Sequence, residues 1–238
     1  MEVIHVSKRL IAGATLAAVL AGCADMNDVK SKFANVSCNP LIAGVGGAAI
    51  GAIVAGGNRA AGAAIGAGIA ALVCAAVDYE AKQIKTAQQA QSDYQAGHGG
   101  RLPEQASVVK YTTSFTPASI PAGEKATLHS YIEVVKGKHD AADPTIEEEA
   151  TIYKPDGSVA KSVRKPVSQT ASAGAFSSSF TIPMPQGVPQ GAYPVKSTLY
   201  VNGVQVAQRE ADLQVVASNS DTRTDTRAYA MLTTHTAN

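Results

Sequence analysis

From Pro40 to Val77 the chain carries one charged residue, Arg59, and a stretch this apolar has few ways to fold. Gly57-Asn58-Arg59 reads as a turn that divides it into Leu41 to Gly57 and Ala60 to Val77, each about 17 or 18 residues, near the lower length for a bilayer span. Small residues recur every fourth position. The first arm has Gly44, Ala48, Ala52 and Gly56, and again Gly47, Gly51 and Ala55; the second has Gly62, Gly66 and Ala70. A spacing of four stacks them on one helix face. In lipid, two helices associate by close backbone approach, which Gly and Ala permit. The spacing predicts a transmembrane helical hairpin over 40–77, packed by a glycine zipper. Ile42, Val45, Ile50, Ile53, Val54, Ile65, Ile69, Leu72 and Val73 then face lipid or a neighbouring subunit; in a loosely ordered soluble tract they would be exposed to water.

Residues 1–22 have the order of a secretory leader: basic Lys8 and Arg9, an apolar run from Leu10 to Leu20, and the small-residue junction Leu20-Ala21-Gly22-Cys23. The apolar run is too short to span a bilayer, so removal is expected. The junction resembles the bacterial lipoprotein signal, and that resemblance implies a covalent lipid on Cys23. Ala24 is not the Asp that by family analogy retains such proteins in the inner membrane, so the outer membrane is the expected location.

The run Gly46-Gly-Ala-Ala-Ile-Gly51, with its echo Gly62-Ala-Ala-Ile-Gly66, resembles the glycine-zipper outer-membrane lipoproteins, the group that includes SlyB-like proteins and the rickettsial surface antigens. The resemblance implies a role in envelope integrity and self-association in the membrane. The chain departs from that group in its large C-terminal part.

With Cys23 acylated, Cys38 and Cys74 remain, an even number suited to an oxidising compartment. Cys38 lies 20 residues before Asn58 and Cys74 lies 16 after it, so a hairpin brings both toward one end. The mismatch is roughly 6 Å along the axis, at the edge of disulfide geometry. Two readings stay open: a Cys38–Cys74 disulfide, or a small buried Cys74 with Cys38 free.

The remainder divides by period. Residues 23–39 read as a polar tether. Residues 78–100 are rich in helix formers, with a weak stripe of Ala81, Ile84, Ala87 and Tyr94, and read as a helical stalk, either a solvated spacer or a contact between protomers. From 103 to 217 the period changes to two: Val109, Tyr111, Thr113; Ala126, Leu128, Ser130, Ile132; Ile146, Glu148, Ala150, Ile152; Tyr193, Val195, Ser197, Leu199, Val201. Asp156-Gly157 and Asn202-Gly203 are hairpin turns. Roughly seven strands with no helical stretch predict an antiparallel Ig-like β-sandwich. Gly191-Ala-Tyr193 is similar to the start of the penultimate strand in bacterial Ig-like domains, where a Tyr closes a corner. Residues 218–238 are polar, and their composition predicts disorder. The fold class expected is therefore multi-part α+β: a membrane hairpin with a helical stalk, then a β-sandwich.

Chemistry is sparse. His5, His98, His129, His139 and His235 are scattered, without metal-ligand spacing. Glu147-Glu148-Glu149, with Asp140 and Asp143 nearby, reads as a solvated strand edge before it reads as a cation site. Ser168, Ser177, Ser178 and Ser179 lack a nucleophile-elbow context. The near-zero formal charge of +1 gives no indication of nucleic-acid binding. The expectation is a non-enzymatic outer-membrane lipoprotein that takes no cofactor beyond its lipid. It would serve as a structural or assembly component of the envelope, forming homo-oligomers through the zipper, contacting membrane lipid and other envelope proteins, with the sandwich in the periplasm. Two other readings are a subunit of a secretion channel or pore, and a ligand-binding module.

Overall fold

The computed structural model describes Cys38 and residues 59–217. In chain order the elements are α1 (Arg59–Cys74), β1 (Asp78–Lys85), α2 (Ala87–Gly97), β2 (Ser107–Thr116), β3 (Ser119–Pro121), β4 (Lys125–Val135), β5 (Ile146–Tyr153), β6 (Val159–Pro166), β7 (Gly174–Pro183), β8 (Gly191–Val201) and β9 (Val204–Val216). One sheet has the order β1-β7-β4-β2 and the other β3-β9-β8-β5-β6. All pairings are antiparallel except β3 with β9.

The alternating pattern sets which face is buried. Ala126, Leu128, Ser130 and Ile132 on β4 are buried, as are Ile146, Glu148, Ala150 and Ile152 on β5 and Tyr193, Val195, Ser197, Leu199 and Val201 on β8. These inner faces meet as an Ig-like β-sandwich. Between β8 and β9, Asn202 and Gly203 both have positive φ, 53° and 78°, and Val201 pairs directly with Val204, as a two-residue hairpin requires. Tyr193 Oη donates to Pro189 O at 2.9 Å, closing the corner before β8.

Two expectations are corrected. The hairpin with stalk is not the architecture: strands dominate the described residues, and no described helix is long and apolar enough to cross a membrane. The first arm, Leu41 to Gly57, lies outside the described residues, but the second is α1, which docks on the sandwich. Leu72 enters the core beside Ile120, Phe180, Met184 and Tyr193. Ala64, Gly68 and Leu72, four residues apart, share the docking face. There the Gly68 backbone lies against Gly187, and a Cβ on Gly68 would overlap the Gly187 carbonyl carbon and Val188 N. Lys161 Nζ donates to Val73 O at 3.1 Å and to Ala75 O, holding the C-terminal end of α1.

The stalk is the second correction. Asp78 to Lys85, helical by propensity, is instead an edge strand paired with β7, with Tyr79 packed on the core. Tertiary pairing overrides a weak local preference. The helix begins only after Thr86, whose side chain caps Gln89 N while the Gln89 side chain accepts from Thr86 N, a capping box.

Candidate functional site

Small and polar side chains on the inner phase of the strands build the most unusual feature of the fold. On β5, Glu148 falls between Ile146 and Ala150 on the buried phase and is 0 % exposed. Ser130 on β4 and Ser178 on β7 stand directly opposite each other in the facing sheet, and Ser197 lies on β8 beside Glu148. Ser130 Oγ donates to Glu148 Oε1 at 2.6 Å, Ser197 Oγ to the same oxygen at 2.8 Å, and Ser178 Oγ to Oε2 at 2.6 Å. Tyr111 Oη on β2 is 3.0 Å from Oε1 and 2.6 Å from Ser197 Oγ. With one hydrogen to give, it serves the shorter contact best, making a Tyr111–Ser197–Glu148 chain.

This layer divides the core. On one side lie Leu128, Ala150, Phe180 and Val195, and on the other Ile132, Ile146, Phe176 and Leu199. Burial, and then the charge of Glu148, push the Tyr111 hydroxyl above the ordinary tyrosine range. The same two causes, in the same order, raise Tyr79, whose hydroxyl is buried on this layer and makes no hydrogen bond. The run Glu147-Glu148-Glu149 is therefore no uniformly solvated edge. Only its outer members reach the surface, Glu147 to Arg164 at 2.6 Å and Glu149 to Tyr200 Oη at 2.9 Å and to Ser162. Chemically the cage is a cross-link between sheets: the carboxylate accepts hydrogen bonds from both, and its enclosure leaves no path for a substrate. Sequence reasoning placed Glu148, Ser130, Ser197 and Tyr111 in the alternating phase but did not join them.

Of the residues singled out in the sequence, Cys23, Gly44, Gly47, Ala48, Gly51, Ala52 and Gly56 lie outside the described residues. Gly62, Gly66 and Ala70 fall on α1, where Gly68, not among the expected zipper positions, makes the close approach. Cys38 and Cys74 are joined, with Cα atoms 5.1 Å apart. The bond ties the chain before α1 to the end of that helix. Among the described residues no group of three or more His, Cys, Asp or Glu is placed to hold a metal ion.

Unlike the cage, the seam between the two sheets on the side of β1 and β6, each paired along one side only, is open to solvent. α1 packs on β6 in this seam, and an open groove of about 900 Å³ runs beside it. Val77, Tyr79, Val167 and Phe176 form its apolar wall, and Lys165 and Gln83 its polar rim.

No family model matches the chain, and no curated protein matches it. Solved structures with similar parts include the N-terminal domain of a Streptococcus gordonii adhesin, at 14% identity and TM-score 0.36, covering 45% of this chain and 33% of that one. The CARDB domain of a Pyrococcus furiosus protein is similar at 15% identity and TM-score 0.32, covering 48% of this chain and 97% of that one. A β-glucuronidase from Bacteroides uniformis is similar at 21% identity and TM-score 0.31, over 49% of this chain and 13% of that one. The chain thus spans a third or less of the adhesin domain and the glucuronidase. Scores this low carry no functional argument, and the Ig-like assignment rests on the two sheets of the chain itself.

Proposed function

We propose that the chain is a lipid-anchored envelope protein whose Ig-like domain serves in structure or assembly. The observation that carries this reading is the covalent tie between Cys38 and Cys74, which begins the tied domain fifteen residues after the lipobox cysteine, Cys23. Such a bond suits an oxidising compartment. A tether of fifteen residues reaches at most about 50 Å, so the domain stays close to the surface bearing the lipid. The lipid itself supplies a hold on the membrane, since multiple acyl chains anchor firmly where one gives marginal binding.

The test is metabolic labelling with a fatty acid in a bacterial host, followed by membrane fractionation. Label in the wild-type chain and its loss in Cys23→Ser, with release of that variant from the outer-membrane fraction, is the expected result. An unlabelled wild-type chain, or a Cys23→Ser chain that is labelled and fractionates as before, would overturn it. A ligand-binding role has one observation in its favour, the groove along β1, and binding of a ligand that Val77→Trp abolishes would promote it over assembly.

A further inference from the structure

Four strands, β1, β2, β3 and β6, lie at sheet edges. β3 is three residues long and covers only the end of β9, the rest of which packs beside β2, and the other three edges are not equivalent. On β2, at the far side of its sheet, Arg209 Nε from β9 bonds Tyr111 O at 2.9 Å and covers part of the edge. On β6 the edge carries Lys161, Arg164 and Lys165 with no acid, so a second copy would meet like charge. The β1 edge has neither protection. From Glu80 to Ile84 every residue is exposed, including Ile84 at 48 %, and the charges on the strand are of both signs, so a second copy need not meet like charge.

The charges of β1 are also self-complementary. Two antiparallel copies related by a two-fold axis normal to the sheet must place one residue opposite itself. With Lys82 on the axis, two ammonium groups face each other. With Ala81 on the axis, the small side chains meet at the centre, Glu80 stands opposite Lys82 of the second copy on both sides, and Tyr79 stands opposite Gln83. Directly opposed unlike charges stabilise a strand pair and like charges destabilise it, so the sequence selects the second register. Within the chain, neither Glu80 nor Lys82 has an oppositely charged group within 4 Å among the described residues. The ladder to β7 is regular from Asp78 to Gln83, and its irregularity falls beyond, between Gln83 and Lys85. The edge is therefore straight over the five positions that pair.

We propose that β1 is the interface of a two-fold dimer, in which the four-stranded sheets of two copies join edge to edge through β1, with Ala81 on the axis. The main-chain groups of both edges gain partners, and the two Glu80–Lys82 pairs fix the register. The proposal goes beyond the lipid-anchor reading and does not depend on it.

The test uses the full chain purified in mild detergent, with protein mass from light scattering and cross-linking as readouts. The wild type is expected to be a dimer. Lys82→Glu and Glu80→Lys, which each oppose like charges twice, are expected to weaken it by roughly tenfold or more. The double swap Glu80→Lys/Lys82→Glu is expected to restore it. Ala81→Cys is expected to form a disulfide-linked dimer on mild oxidation, because opposed Cα atoms in a ladder lie within disulfide reach, while Thr112→Cys on β2 stays unlinked. Amide-exchange protection of β4 and β8, away from the interface, should be unchanged in the charge variants, separating a lost interface from a lost fold. A monomeric wild type, a dimer indifferent to both single charge changes, or Ala81→Cys no more cross-linked than Thr112→Cys overturns the proposal.

Discussion

Replacing Glu148 by alanine would remove the acceptor on which three buried serine donors converge, and the structure sets what that should cost. The contacts at 2.6, 2.6 and 2.8 Å are short, as expected of hydrogen bonds to a carboxylate, each worth about 1.5–3 kcal/mol to a charged group. Simple addition overestimates the loss. Ser130 and Ser178 are direct partners in the β4–β7 ladder, so their hydroxyls can turn to each other once the carboxylate is gone. Ser197 and Tyr111 already share a bond of 2.6 Å. About one buried donor is then left without a partner, at about 1–3 kcal/mol, and a carboxymethyl-sized void adds about 1–2 kcal/mol. Glu148→Ala should therefore lose about 2–5 kcal/mol, measured by urea denaturation with the disulfide intact. Glu148→Gln keeps one acceptor and the volume, and should lose about 1–2 kcal/mol. Replacing the set together, Glu148→Leu with Ser130→Ala, Ser178→Ala and Ser197→Ala, should cost less than Glu148→Ala alone, because no donor is left unsatisfied. A glutamate on a solvated edge would cost at most about 0.5 kcal/mol. A Glu148→Ala loss below about 1 kcal/mol would refute the cage.

The alkaline limb of stability follows from the buried tyrosines. Burial, with a smaller contribution from the charge of Asp156, raises Tyr193 to about 12, and Tyr111 and Tyr79 are raised as well. Unfolded tyrosines release their proton near pH 10 while the folded ones keep it, so stability is full below about pH 10 and falls as pH rises toward 12. Denaturant midpoints from pH 8 to 12 should show that fall, and Tyr193→Phe should make it shallower; a flat profile would contradict the burial. Gly68→Ala should undock α1, since its Cβ meets backbone at Gly187, with a loss of about 1–3 kcal/mol and faster amide exchange over 64–74. Gly97→Ala, whose Cβ meets nothing within 4 Å, should be neutral or slightly stabilising. The unreduced mature chain should show no thiol from Cys38 or Cys74, and Cys38→Ser/Cys74→Ser should lose about 2–4 kcal/mol, the entropy of a loop of that size.

The sandwich was legible because a half-buried strand writes its burial into every second residue: β4, β5 and β8 bury the side chains that their alternation marks. Glu148 of the cage reads, within its acidic run, as part of a solvated strand edge, although the signal of the cage lies in the same phase. A serine between Leu128 and Ile132, another between Val195 and Leu199 and a glutamate between Ile146 and Ala150 are each a polar residue at a core position, and three of them at one level imply one another. What the sequence did not show was β1. Its local preference is helical and its strand character comes from β7, nearly a hundred residues later, so no window around Tyr79 contains the cause. The boundary of α2 was available, since Thr86-Ala-Gln-Gln89 carries both halves of a capping box and places the helix start after Thr86.

The misreading of α1 has a different physical origin. Small residues four apart establish that something approaches the helix backbone closely; they do not establish what. In lipid the natural occupant is another helix, because nothing else there offers a compact, internally bonded surface. In water the same face accepts any backbone bare enough to reach it, and the Gly187 turn, with φ of 84° and no side chain, is such a surface. The discriminating residue is Leu72. A zipper face in lipid favours small side chains along its whole length, whereas a helix docked on a protein core needs one large side chain to enter that core, and Leu72 follows Ala64 and Gly68 on the same face by the same step of four. A run of small residues ending in one large apolar residue on a single face therefore describes a helix that leans its backbone on a domain and anchors with its last turn, and in this chain that turn also carries Cys74 and the covalent tie to Cys38.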